Sequence, residues 1–272
     1  MIAGFGTSMT REMRQQFLSD YAKIRHAEGR GSEDAEYYRA LPFRDLTGRN
    51  AAQWAIRART WTHFENSVLR DLESRSQRPL DILDLGAGNG WMSYRLALRE
   101  HKPVAIDIFS DSSDGLRCAR YYPKRFPCIE AEFDRLPFRD GSFDAAIFNS
   151  SIHYSTDYRR TLGEARRCLR SSGRIVIMDS PIYKRAEHGE QMRTERHAQF
   201  ERSYGFRSDA VPSIEYFDEA TLAALASEFE IEWHRSQPWY GLAWALRPWK
   251  ARLRARRPPS KFCILVGSFR AS

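Results

Sequence analysis

Three alternate glycines follow a short apolar run in Asp81-Ile-Leu-Asp-Leu-Gly-Ala-Gly-Asn-Gly90, and a helical pattern begins at Trp91. Glycine lets the backbone turn sharply and approach a ligand closely. The start of a helix leaves N–H groups unpaired. A loop of this kind, with Gly86, Ala87, Gly88, Asn89 and Gly90, holds a ligand through its main chain. Dinucleotide enzymes use a similar loop, but their third glycine falls at the sixth position of G-x-G-x-x-G; here it falls at the fifth. Asp84 stands two residues before the first glycine. A carboxylate there suits a cationic amino group and repels a pyrophosphate. Asp107 ends the next apolar run, Val-Ala-Ile-Asp, with Ile108 beside it. It lies about twenty residues on, the spacing of an acid that grips ribose hydroxyls.

Other residues follow that could do chemistry. Glu132 and Phe133 open a segment running to Asp144, with Asp134 as an alternative acid two residues on. An apolar run then ends at Asn149, and His153 comes four residues later. Histidine at that place can take a proton from an acceptor hydroxyl or amine, or simply pack or cap a helix. Arg57 shares a helical face with Asn50, Trp54 and Trp61, so its guanidinium needs a partner. That partner is a ligand carboxylate or one of the protein's own acids. Pro127-Cys128 matches the Pro-Cys pair of cytosine-5 methyltransferases but precedes the third strand, which marks Cys128 as structural. The scattered cysteines form no C-x-x-C pair, so no structural metal and a reduced, cytoplasmic protein are expected.

These residues need a scaffold. Ile82–Leu85, Val104–Ile108, Cys128–Ala131, Ala145–Asn149 and Arg174–Met178 read as strands. Trp91–Arg99, Gly115–Tyr122 and Tyr158–Leu169 read as helices between them, an alternation that implies a parallel sheet covered on both faces. Helices are also expected at 8–28 and 48–73, the second with Trp54, Trp61, Phe64, Val68 and Leu72 at helical spacing. Residues 181–215 interrupt the alternation with Tyr183, Met192, His197, Phe200 and Tyr204, an aromatic set suited to covering an organic acceptor. A helix at 218–229 and strands at 230–235 and 262–269 close the pattern. The division expected is an N-terminal helical extension, 1–79, and a core, 80–272, carrying the insertion 181–215.

The chain of 272 residues carries a net charge of +8, and no acidic residue follows Glu232. The excess of charge therefore belongs to one local surface. There, Trp239, Leu242, Leu246, Trp249 and Leu253 repeat at spacings of three and four, with Arg247, Lys250 and Arg254 to one side and Pro248 kinking the helix or dividing it into two short ones. Such a stripe ordinarily covers the protein's own sheet or acceptor pocket, with the arginines solvated; the alternative is peripheral contact of 239–257 with an anionic membrane. No run is apolar enough to span a membrane, and the N-terminus lacks the apolar run of a signal peptide. No nucleic-acid module is present.

Taken in order, these motifs resemble the class I S-adenosylmethionine-dependent methyltransferases, in the branch that includes quinone-biosynthesis and small-molecule enzymes. The resemblance covers about residues 50–180. It rests on Asp84 through Gly90, Asp107, Glu132-Phe-Asp-Arg-Leu-Pro-Phe through Phe143-Asp144, and Leu169-Arg-Ser-Ser-Gly173, where serines replace the family's proline and first glycine. It implies a Rossmann-like, seven-stranded, mostly parallel sheet with an antiparallel last strand. It also implies S-adenosylmethionine as cofactor: Asp84 and the glycines at its methionine end, Asp107 at the ribose, Glu132 and Phe133 at the adenine, Asn149 beside the sulfonium, with Arg57 a candidate for its carboxylate. The expected reaction is methyl transfer to a small organic acceptor, a lipid-like one if 239–257 meets a membrane, with His153 the candidate base. A nicotinamide-dependent oxidoreductase and a non-catalytic, cofactor-binding protein are the alternatives. Acceptor and oligomeric state are not legible in the sequence.

Overall fold

Asp81–Leu85 (β1) is buried along almost its whole length, with Ile82 packed on one face of the sheet and Leu83 and Leu85 in the core of the other. It lies mid-sheet, parallel to Lys102–Asp107 (β2) on one side and Phe143–Asn149 (β4) on the other. The computed structural model describes residues 11–205 and 213–270. Cys128–Glu130 (β3), Leu169–Met178 (β5), Ile231–Ser236 (β8) and Ile264–Phe269 (β9) complete a seven-stranded sheet in the order β3-β2-β1-β4-β5-β9-β8. β9 runs antiparallel to both neighbours and the other strands run one way, as expected. A second, two-stranded pair joins Ile182–Tyr183 (β6) to Phe217–Asp218 (β7).

Helices cover both faces. On one face, Ala35–Ala40 (α2), Ala51–Phe64 (α3), Arg70–Ser74 (α4) and Trp91–Leu98 (α5) bury Tyr38, Trp54, Trp61 and Phe64 against Ile82, Ile147 and Val176 of the sheet. Trp91 receives Trp54 and Trp61 edge-on, with ring centres 6.1 and 5.7 Å away. Much of the N-terminal region therefore shares a core with the sheet. The other face carries Tyr158–Cys168 (α6) and Glu219–Phe229 (α8). Each begins on an aspartate whose side chain accepts main-chain N–H bonds: Asp157 from Arg159 and Arg160, and Asp218 from Thr221. In α6, Tyr158, Thr161, Leu162, Ala165 and Cys168 face inward, Arg159 and Arg160 are exposed, and Arg166 and Arg167 lie half-buried along the sides, donating to the carbonyls of Phe229 and Phe138.

Several expectations shift. The helix expected at 8–28 is observed as Arg11–Ala27 (α1), residues 8–10 lying outside the described set. The single helix expected at 48–73 is α3, a wider π turn at Glu65–Leu69, then α4. Asn50 lies outside the apolar face; it precedes α3 and its amide donates to the Glu28 carbonyl at 3.2 Å. Gly115–Tyr122 forms a 3-10 turn at Leu116–Tyr121, because the chain folds back on itself: a Cβ on Gly115 would sit 2.5 Å from the Phe109 carbonyl oxygen. Within 181–215 the chain forms β6 and Ala186–Tyr204 (α7), residues 206–212 lying outside the described set.

The largest departure is near the C-terminus. Leu242–Ala245 (α9) and Arg247–Leu253 (α10) are two short helices, as Pro248 requires. The stripe they carry does not cover the sheet. Trp239 is 66% exposed, Trp249 74% and Leu253 77%. The inner side is held instead by Trp244, packed on Tyr240 and Phe262. Arg247 is not solvated either: it stacks over Trp244 and donates to the Ser260 carbonyl at 2.7 Å.

Candidate active site

The C-terminal ends of β1, β2 and β4 open into a cleft. This edge is where parallel α/β sheets ordinarily bind ligands. The glycine loop forms its floor. Gly86 and Gly88 have φ of 76° and 54°, a region that side chains other than glycine disfavour. A Cβ on Gly86 would lie 2.3 Å from the Ser151 Cβ, whereas one on Gly88 would meet nothing closer than 3.9 Å and would project into open space.

The two acids stand at the loop's ends. Asp84 is almost fully buried and accepts a hydrogen bond from the Ser93 hydroxyl at 2.7 Å. Burial pushes its carboxyl up to about 7, and the charge of Asp107 adds to the shift. Asp107 accepts from the Gly88 N–H at 2.8 Å and from the Phe109 N–H at 2.9 Å, and burial raises its pKa also. Each carboxylate oxygen has a further lone pair for a ligand hydroxyl. The acid thus locks the glycine loop and keeps acceptor capacity.

Ala87, Asn89, Ile108, Glu132, Phe133 and Asn149 also line the cleft. Asn89 spends its side chain on the protein: its oxygen caps α5 through the Trp91 N–H, and its amide donates to Asp114. Glu132 stands 3.9 Å from Arg14, and Asp134, the alternative acid, pairs with Arg160 at 3.1 Å. The Asn149 side-chain oxygen is buried without a partner, a cost that a ligand donor would remove.

Arg57 reaches the cleft from α3. It stacks over Trp54 at 5.0 Å and donates to the Ser150 hydroxyl at 3.3 Å. Burial lowers its pKa. Among the described residues no acid pairs with it. The internal ion pair weighed from sequence is absent, and a half-buried cation faces the cleft.

Two candidates fall outside. Gly90 does not line the cleft; a Cβ there would sit 3.0 Å from the Phe126 ring, so this glycine serves packing. His153 does not line it either. Its ring is buried, 3.3 Å from the Ser180 hydroxyl and packed on Tyr154, and burial pushes its pKa down to about 3. The base role expected of it gives way to a packing role. Likewise, Tyr183, Met192, His197, Phe200 and Tyr204 of the insertion stand away from the cleft lining. The insertion meets the site through its end: the Ile214 and Glu215 N–H groups donate to the carbonyls of Ser155 and His153.

One wall had no role in the sequence reading. Phe17, Tyr21 and Arg25 of α1 line the cleft at spacings of four. Tyr21 packs edge-on against Phe109 and Tyr154, and Arg25 pairs with the buried Asp114. Their i, i+4, i+8 repeat was a usable signal for one helical face, though not for what that face meets.

Comparison with known proteins bears on the fold and on residues 83–177. The family described as "Methyltransferase domain" matches residues 83–177. A demethylmenaquinone methyltransferase of Thermus thermophilus is 34% identical over 38% of this chain and 48% of its own length. A malonyl-[acyl-carrier protein] O-methyltransferase of Geobacter sulfurreducens is 30% identical over 57% of this chain and 52% of its own. The chain thus spans about half the length of these relatives. The crystal structure of a Pyrococcus horikoshii protein superposes with a TM-score of 0.54, 20% identity, and coverage of 86% of this chain and 99% of that one, a likeness of fold. The match over residues 83–177 agrees with the resemblance to the class I S-adenosylmethionine-dependent methyltransferases.

Proposed function

We propose that this chain binds S-adenosylmethionine in the cleft and directs its methyl group to a small organic acceptor. The observation that carries this reading is the pairing of Asp84 and Asp107 across the glycine loop with an unpartnered Asn149 oxygen and an acid-free Arg57 in the same cleft. These are the groups that a ligand with a cationic amino group, a carboxylate and ribose hydroxyls would satisfy.

When bound, the cofactor supplies an electrophilic methyl group on a sulfonium. The protein's part is position and exclusion of water. Asp84 takes the amino group, Arg57 the carboxylate, and Asp107 the ribose hydroxyls. Glu132 and the Phe133 N–H hold the adenine, while Ala87, Gly88 and Ile108 provide the close floor. Asn149 lies beside the reacting centre. Tyr21 and Phe17 close the cleft from α1, so the extension 1–79 works as a wall of the core 80–272. The insertion 181–215 borders the acceptor end through Ile214 and Glu215.

The relatives' names bring two kinds of acceptor, a demethylmenaquinone and a malonyl-[acyl-carrier protein]. An acceptor with a lipid-like part is our reading, together with a peripheral membrane contact through 239–257. No helix among the described residues is long and apolar enough to cross a membrane. Calorimetry tests the cofactor: S-adenosylhomocysteine should bind and NADH should not. The reverse would favour the nicotinamide-dependent alternative. Turnover with methyl-labelled cofactor separates an enzyme from a non-catalytic binder.

A further inference from the structure

The segment between β8 and β9 has two unlike sides. Its inner side is anchored by Tyr240, Trp244 and Arg247, packed on one another, on Phe262 and on α3. Its outer side holds Trp239, Leu242, Leu246, Trp249 and Leu253 in water, each at least half exposed. Large apolar side chains grouped in this way mark an interaction surface, whereas single exposed ones do not. Around them stand Lys250, Arg252, Arg254 and Arg256, all exposed and without an ion-pair partner among the described residues.

Topology puts this surface beside the cleft. β8 runs in the same sense as β4 and β5, so Ser236, its last residue, emerges at the edge of the sheet where the cleft opens. The following residues return across α3. The carbonyl of Tyr240 accepts from Arg59, and its hydroxyl meets Thr60, while Arg57 of the same helix lines the cleft. One helix separates the exposed stripe from the ligand site.

We propose that the outer face of residues 239–256 docks on an anionic lipid bilayer and holds the mouth of the cleft against it, so that the acceptor is drawn from the membrane. The acceptor clause rests on the methyl-transfer reading; the docking does not. Tryptophan and leucine on one side with flanking arginine and lysine suit the headgroup–acyl boundary and its negative charge. A second copy of this chain is a poor occupant, since pairing the face with itself sets four cations against four. An acidic carrier protein offers charge but leaves five exposed apolar side chains unexplained.

The full chain should co-sediment with vesicles of phosphatidylcholine and phosphatidylglycerol, less so as salt rises, and only weakly with phosphatidylcholine alone. Replacing Lys250, Arg252 and Arg254 together by glutamine should lower partitioning on the order of a hundredfold. The double variant Trp239→Ala, Trp249→Ala should lose vesicle binding and the blue shift of tryptophan emission that accompanies it. Calorimetry with S-adenosylhomocysteine on the same preparations keeps the two readings apart: intact ligand binding without vesicle binding overturns the docking alone. Three results overturn the proposal: wild-type protein left in the supernatant with anionic vesicles at low salt, dimerisation abolished by Trp249→Ala, or binding of an acidic carrier protein at this face in place of vesicles.

Discussion

The cleft and the face of residues 239–256 break the ordinary rule of burial in opposite directions. In the cleft, polar groups are withdrawn from water and left short of partners: the Asn149 oxygen, Arg57 without an acid, and Asp84 with its pKa pushed up to about 7. On the outer face, tryptophan and leucine are held in water, each at least half exposed. A sequence selected for stability alone would avoid both. On the two readings proposed above, each conflict locates a missing partner, and its sign gives the partner's chemistry: hydrogen-bonding and charged in the cleft, apolar and anionic outside.

The comparison breaks first at Asp107. If the cleft's polar groups await a ligand, Asp107→Ala removes the acceptor for two ribose hydroxyls. Charge-assisted hydrogen bonds of this kind are worth roughly 1.5–3 kcal/mol, so affinity for S-adenosylhomocysteine should fall about tenfold to a hundredfold. The variant also orphans the Gly88 N–H, so circular dichroism should accompany the calorimetry. An unchanged dissociation constant with the fold intact removes Asp107 from the site.

The comparison is sharpened by pH. Asp84 has its folded pKa raised to about 7, well above the unfolded value, so the folded protein holds more protons between the two and loses stability through this group as pH rises across that window. A cationic amino group bound beside it favours the ionised form. Affinity for S-adenosylhomocysteine should therefore rise with pH, by about tenfold between about pH 6 and about pH 8. Asp84→Asn should flatten that rise. An affinity independent of pH in the unsubstituted protein would place the amino group elsewhere.

What could be read in the sequence follows the same physics. β1 and β4 were legible because strands buried on both faces must be mostly apolar. Gly86, Gly88, Asp84 and Asp107 were legible because backbone turns and acids at fixed spacing leave little choice of residue. The turn at 116–121 was not, since Leu-Arg-Cys-Ala-Arg-Tyr suits a helix and only the return of the chain past Gly115 forbids one. The wall made by Phe17, Tyr21 and Arg25 was hidden for a different reason: periodicity shows that a helix has a face, not what the face meets. The exposed stripe misled because five apolar residues at helical spacing describe a core-facing helix equally well.

The smallest expected effect concerns His153, which looked like a cleft residue and belongs to the packed interior. Its ring is buried beside Ser180 and Tyr154, with its pKa pushed down to about 3 by burial and by the charges of Arg196 and Arg57. It is neutral at ordinary pH and titrates far from the range in which a general base is useful. His153→Gln should change turnover by less than about threefold and leave the pH–rate profile between about pH 6 and about pH 8 unaltered. Acid stability is where it should act. Between about pH 3 and about pH 6.5 the unfolded chain binds a proton here that the folded chain does not, so this residue makes stability fall with decreasing pH by up to about 1.4 kcal/mol per unit. The glutamine variant should lose that part of the slope in urea titrations across the window. A turnover loss of a hundredfold or more, confined to pH values above about 6 and with cofactor affinity intact, would return His153 to the site as a base. It would also mean that the boundary between cleft and core lies one residue layer deeper than Tyr154.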